Sequence, residues 1–230
     1  MTLIHYRQSI IPALDQRTEE EALRCIEQTT DLHGIGGYKV GAVLNNRYGM
    51  ERLLPKIRER TALPIIYDHQ KGGTDTPFQA EPFMDSILGV DAVILFPLSG
   101  PVTLEAWVKA AQERHIHLLV GGDMTAQKYF ISQGGYIKDS APEEIFSLAA
   151  KLGVRDFVIP GTKLVRAVAY AELLTEYSPV LYSPGLGVQG GEIHAYAQAF
   201  PHWHAFVGRT ITQAENPREK AKELISMLRR

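Results

Sequence analysis

Short apolar runs alternate with longer stretches of helical periodicity from one end of the chain to the other. The runs occupy residues 10–14, 38–41, 63–67, 92–96, 117–120, 157–160, 180–182 and 205–208. Each is only a few residues long, rich in β-branched and aromatic side chains, and nearly free of polar alternation. That is the pattern of a strand buried on both faces, as in a parallel sheet. The segments between them carry helix signals. Thr18-Glu19-Glu20-Glu21 fits a capping box, with Thr18 as cap and Glu21 three residues on. Ala141-Pro142-Glu143-Glu144 places a proline and two acids in a first turn, and Ile145, Leu148 and Leu152 follow as an apolar stripe. Asn216-Pro217-Arg218-Glu219 opens a last helix whose stripe is Leu224, Ile225 and Leu228 and whose end is Arg229-Arg230.

Eight strands alternating with helices imply parallel pairing through right-handed crossovers. At this length a closed (β/α)8 (TIM) barrel, one α/β domain over residues 1–230, is the economical arrangement, and an open doubly wound sheet is the alternative. The formal net charge of −2 shows no basic excess of the kind that marks a nucleic-acid binder. The single cysteine, Cys25, precludes an internal disulfide framework or a cysteine-rich zinc site, and its place in a helical pattern reads as packing. The first residues, Met1 to Arg7, lack a signal-peptide layout, and no apolar run is long enough to span a membrane, so the expected location is the cytoplasm.

Candidate chemistry collects after the strands, on the face where barrels build ligand sites. Val207-Gly208-Arg209-Thr210-Ile211 follows strand eight, and Ser183-Pro184-Gly185-Leu186-Gly187-Val188-Gln189-Gly190-Gly191 follows strand seven. A glycine lets backbone approach a phosphate oxygen, and the neighbouring arginine offers a planar fork for two more. Together these loops read as a phosphate grip with Gln189 as a polar tip. Asp15 ends strand one, Lys39 interrupts apolar strand two, and Asp68-His69-Gln70-Lys71-Gly72-Gly73-Thr74-Asp75 follows strand three. Burying such charges is expensive unless they pair and serve a purpose. A lysine between carboxylates stays protonated and can deliver a proton.

With these residues in view, the chain resembles the orotidine 5′-monophosphate decarboxylases, in particular their compact archaeal-type branch. The likeness runs along nearly the whole chain and is strongest from Ser183 to Arg209. It implies a Lys-Asp-Lys-Asp array made of Lys39, Asp68, Lys71 and Asp75, with Lys71 as proton donor and Asp75 donated across a homodimer interface. It further implies that Asp15 holds the ribose, that Thr125, in Asp123-Met124-Thr125 after strand five, contacts the pyrimidine, and that Gln189, Gly208 and Arg209 hold the phosphate of a nucleotide substrate. A loop over residues 186–191 would close on it, with no metal or organic cofactor, no nucleic acid and no membrane involved.

The spacing departs from the family's Asp-x-Lys-x-x-Asp. Here it is Asp68-x-x-Lys71-x-x-x-Asp75, one residue longer on each side of the lysine. One extra residue in a strand turns a side chain to the opposite face, so a bulge or an early strand end must absorb it. Gly72-Gly73 permits that beyond Lys71, and His69 has no assigned part. The family threonine that reaches across the interface has no match at Gln79, which leaves Thr76 as the candidate. Three other readings stay open. One is a magnesium-dependent keto-sugar-phosphate decarboxylase or hexulose-phosphate synthase, although no acid directly follows Lys39. Another is a zinc-type epimerase, although His33, His115, His117, His202 and His204 precede or begin strands and only His69 and His194 fall near the mouth. The third is a nucleotide-phosphate binding barrel without turnover. Tyr67, Trp107 and Trp203 read as packing.

Overall fold

All eight apolar runs are strands, and each pairs in parallel with its sequence neighbour. The computed structural model describes residues 2–69, 74–187 and 192–228. The strands are β1 (Gln8–Leu14), β2 (Tyr38–Gly41), β3 (Ile65–Asp68), β4 (Ala92–Leu95), β5 (His117–Gly121), β6 (Asp156–Val158), β7 (Val180–Ser183) and β8 (Trp203–Val207). The last returns to the first, with Ile11 opposite Phe206, and the sheet closes into a barrel. Among the described residues the outer layer holds ten helices. They are α1 (Glu19–Thr29), α2 (Ala42–Tyr48), α3 (Met50–Arg58), α4 (Ala80–Ser86), α5 (Pro101–Glu113), α6 (Ala141–Lys151), α7 (Leu164–Leu173), α8 (Ile193–Ala199), α9 (Arg209–Thr212) and α10 (Pro217–Ile225).

Side chains alternate across each strand. Ile11, Ile66, Ile94, Leu119, Val158 and Phe206 fill the barrel, while Ile10, Tyr38, Val40, Ile65, Tyr67 and Val93 pack against the helices. That alternation decides where the charges go. Tyr38 and Val40 face outward, so Lys39 faces the barrel. Ile65 and Tyr67 face outward, so Asp68 faces the barrel as well.

Strand ends differ from the sequence expectation where proline or a polar partner intervenes. Residues 63 and 64 are outside β3, because Pro64 has no N–H to give the ladder and the Ile65 N–H is taken by the Asp91 carboxylate at 2.6 Å. Pro160 likewise falls beyond β6. The expected caps are present: the Glu21 N–H donates to Thr18 Oγ1 at 3.3 Å and the Glu219 N–H to Asn216 Oδ1 at 3.2 Å. Helix α6 is rotated from its expected face. Ile145, Leu148 and Leu152 are only partly buried, and Phe146, Ala149 and Ala150 face inward. The Phe146 ring sets this face by meeting Phe157 and Tyr170 edge-on at 5.7 and 5.1 Å. In α10, Leu224 is buried while Ile225 and Leu228 lie at the margin. Arg229 and Arg230 fall outside the described residues.

His204 also departs from expectation, since it lies inside β8 rather than ahead of it. Its ring is fully buried, with Nδ1 2.8 Å from Ser9 Oγ and Nε2 unpartnered among the described residues. Burial, reinforced by the neighbouring His202, pushes its pKa down from 6.5 to about 3. The folded state therefore keeps this ring neutral where the unfolded chain would protonate it. Its contribution to stability is complete above pH 6.5 and is lost as pH falls toward 3. By pH 5 that loss is about 2 kcal/mol, at about 1.4 kcal/mol per pH unit. Urea unfolding of the parent and His204→Gln at pH 7 and pH 5 should show the parent losing that much more; equal losses would refute the assignment.

Candidate active site

The inward positions of β2 and β3 bring the two opposite charges together. Lys39 Nζ lies 2.5 Å from Asp68 Oδ2 and 3.5 Å from Asp15 Oδ2. The lysine and Asp68 are buried, at 7% and 10% side-chain exposure, whereas Asp15 at the end of β1 is half open. Burial opposes the charge on Lys39, but the carboxylates of Asp68 and Asp15 outweigh it and raise its pKa, so the ammonium persists. Gly41 makes room for this: a Cβ there would meet Asp15 Oδ1 and drive it off the lysine. Asp68 Oδ1 is buried with no hydrogen-bond partner among the described residues. A carboxylate oxygen left so in a cavity wall is costly and points to a missing donor.

Across the mouth, β8 runs into Gly208 and then α9, which begins at Arg209. A Cβ on Gly208 would meet only Ala13, at ordinary van der Waals distance. The space beside it is open toward the cavity. Arg209 is exposed and has no ion-pair partner among the described residues. The β7 loop abuts the same turn through Gly187, whose φ of +78° suits glycine and whose Cβ would collide with Thr210 Oγ1. Gln189 lies outside the described residues.

One cavity of about 1190 Å³ joins these parts. Asp15, Lys39, Asp68, Thr125, Gly208 and Arg209, six of the residues singled out from the sequence, all line it. Asp75 and Thr76 do not. They are exposed, with the Thr76 N–H donating to Asp75 Oδ1 at 2.6 Å, and Asp75 borders a second, smaller hollow of about 430 Å³. Of the four residues of the expected array, the described part of one chain brings Lys39 and Asp68 together and leaves Asp75 apart. Lys71, like Gly72 and Gly73, lies outside the described residues. Strand β3 ends at Asp68.

His69 stands in the walls of both hollows. Its Nδ1 lies 2.9 Å from Tyr67 Oη, which accepts from Asn45 Nδ2 at 2.8 Å. Tyr67 is thus buried packing with a polar end. Trp203 is packing too, its Nε1 donating to Ser183 Oγ at 2.9 Å. Cys25 is buried, and burial raises its thiol to about 12, so it is inert although it borders the main cavity. His194 is exposed on α8, 2.7 Å from the amide of Gln198.

Sequence reasoning overlooked the charged cluster that supports Thr125. Asp123, with no exposed side-chain surface, accepts from Lys163 Nζ at 2.8 Å, Arg166 Nε at 2.9 Å and Tyr170 Oη at 3.0 Å. Lys163 also donates to the Met124 carbonyl at 2.7 Å. The β5 loop is thereby tied to the start of α7, which fixes the backbone beside Thr125. The legible signal was Asp123 after β5 with Lys163 after β6. Lys163→Met removes a charged hydrogen bond from a buried carboxylate and should cost about 1.5–3 kcal/mol in urea unfolding; an unchanged midpoint would show that the tie carries no load.

Comparison with known proteins places this geometry in a group. The model of the "Orotidine 5'-phosphate decarboxylase / HUMPS family" matches residues 8–224. The orotidine 5′-phosphate decarboxylase of Methanosarcina mazei is 29% identical over 218 residues, spanning 94% of this chain and 92% of that protein. That of Pyrococcus abyssi is 29% identical over 222 residues, spanning 96% and 99%. Among solved structures, an orotidine 5′-monophosphate decarboxylase from Methanocaldococcus jannaschii complexed with the inhibitor BMP superposes with a TM-score of 0.84. It is 24% identical and covers 98% of this chain and 100% of its own, a likeness that bears on the fold.

Proposed function

The chain belongs to the orotidine 5′-phosphate decarboxylase / HUMPS family, and from that premise we propose that it converts orotidine 5′-monophosphate to uridine 5′-monophosphate and carbon dioxide. The observation that carries this reading is the buried Lys39, held by Asp68 and Asp15 in the same cavity as Gly208 and Arg209. A cation among carboxylates at one end and a phosphate grip at the other suit an anionic nucleotide whose reacting carbon becomes a carbanion.

In this reading Gly208, Arg209 and Gln189 hold the phosphate. Asp15 and Lys39 hold the ribose hydroxyls, joined by Asp75 and Thr76 from a second copy of the chain. Thr125 bonds the pyrimidine edge on the backbone fixed by Asp123 and Lys163. The substrate carboxylate faces Asp68, whose buried charge favours its departure. The bond between ring carbon six and the carboxyl carbon breaks, the electron pair stays on the ring, and the Lys71 ammonium stabilises and then protonates that carbon. Remote phosphate binding supports the reacting end, where charge stabilisation supplies most of the acceleration. Neither metal nor organic cofactor takes part.

A homodimer completes the site, because Asp75 and Thr76 sit outside their own chain's cavity. Exposed apolar side chains follow successive strands at this end of the barrel, among them Val43, Phe78, Val102, Tyr136 and Val165. Apolar surface of that kind marks a contact between proteins. No described helix is long and apolar enough to cross a membrane, and the reaction is assigned to the cytoplasm. The test is to incubate purified protein with orotidine 5′-monophosphate and follow its absorbance, with chromatographic identification of the product. Conversion to uridine 5′-monophosphate is expected; a folded protein that leaves the substrate intact would defeat the reading.

A further inference from the structure

The main cavity does not stop at the phosphate turn. It continues from Gly208 and Arg209 along α9 to Gln213, and its opposite wall is one stripe of α1. Glu21, Arg24 and Gln28 lie on that stripe at intervals of three and four residues, with Arg17 just ahead of the helix. At about 1.5 Å per residue the stripe is about 10 Å long. A cavity of about 1190 Å³ already exceeds the usual ~300–1,000 Å³ of small-ligand sites.

The charges on these walls are unspent. Arg24 has Glu20, Glu21 and Glu27 at helical spacings that ordinarily form ion pairs, yet it pairs with none of them. The Arg17 guanidinium, too, has no carboxylate partner among the described residues, while its backbone carbonyl accepts from Arg47. With Arg209, three guanidiniums without an ion-pair partner among the described residues line one cavity. At this outer end of the cavity Glu21 and Glu215 offset two of the three guanidiniums, and Asp15, Asp68 and Asp123 lie at the other end, beside Lys39. Unpaired arginine forks lining one open groove fit a ligand rich in anionic oxygens.

Resting on the nucleotide reading above, we infer that the groove between α1 and α9 is a subsite for the outer phosphates of a nucleoside 5′-diphosphate or triphosphate. Arg209 takes the first phosphate, and Arg17 and Arg24 take those beyond it. A pyrimidine nucleotide phosphorylated further than the reaction product thereby competes with the substrate.

The experiment is calorimetric binding of uridine 5′-mono-, di- and triphosphate to the full-length protein, with steady-state competition against orotidine 5′-monophosphate. The parent should bind the triphosphate roughly tenfold or more tightly than the monophosphate, about the value of one charge-assisted hydrogen bond. In the double variant Arg17→Ala/Arg24→Ala that advantage should vanish, while monophosphate affinity and turnover stay at parental values. Equal binding of the two nucleotides by the parent would overturn the subsite alone, as would a variant that weakens both alike. Absence of monophosphate binding together with absence of turnover would overturn the nucleotide reading, and the subsite with it.

Discussion

Lys71→Ala should lower kcat on orotidine 5′-monophosphate by at least about 10⁴-fold, the upper part of the range for a lost general acid, because in the proposed reading the same ammonium also stabilises the carbanion. The folded state should persist. Lys39 cannot stand in for Lys71. That ammonium is buried in the barrel wall and held 2.5 Å from Asp68. Circular dichroism and a urea midpoint establish the fold, and single-turnover kinetics establish the chemistry. Retained turnover in a folded variant would remove Lys71 from its role and shift attention to Lys39.

Arg209→Ala should show the opposite profile. Two charge-assisted hydrogen bonds to phosphate, at about 1.5–3 kcal/mol each, correspond to about 10²–10⁴-fold in kcat/KM. Arg209 is exposed with no ion-pair partner among the described residues, so stability should move by no more than about 0.5 kcal/mol. The loss should disappear for orotidine, the substrate lacking the phosphate, which has nothing for the guanidinium to hold. An equal loss on both substrates would place Arg209 outside the phosphate site.

The eight parallel strands were legible because they are buried on both faces, as in the run 92–96, while closure into a barrel rather than an open sheet rested on strand number and chain length. Their ends were less so. Prolines 64 and 160 belong to apolar runs by hydropathy but cannot donate to a ladder, and His204 is polar yet sits in β8 against Ser9. The rotated face of α6 followed from ring contacts of Phe146 with residues distant in sequence, which periodicity does not report.

In the site, Lys39 was visible because a charge breaks an apolar strand, and Asp68 because alternation turns it to the same face. The cluster around Asp123 was not, because its partners lie 40 to 47 positions away and meet only when β5 and β6 pair. Asp75 and Thr76 mark a different limit. In the proposed reading they serve a second copy of the chain, and within their own they look like an ordinary exposed loop, so only the resemblance gave them a task. The two added residues flanking Lys71 lie beyond the end of β3 at Asp68, and Lys71 itself is outside the described residues.

The central claim is that side-chain charges alone drive loss of carbon dioxide and that a protein ammonium then protonates ring carbon six. It is tested most directly by running the chelator-treated protein on orotidine 5′-monophosphate in deuterium oxide and reading the product by proton magnetic resonance. Full conversion to uridine 5′-monophosphate bearing deuterium at carbon six is expected, at a rate that added magnesium or zinc does not raise. Substrate that stays intact until a divalent ion is restored would contradict it.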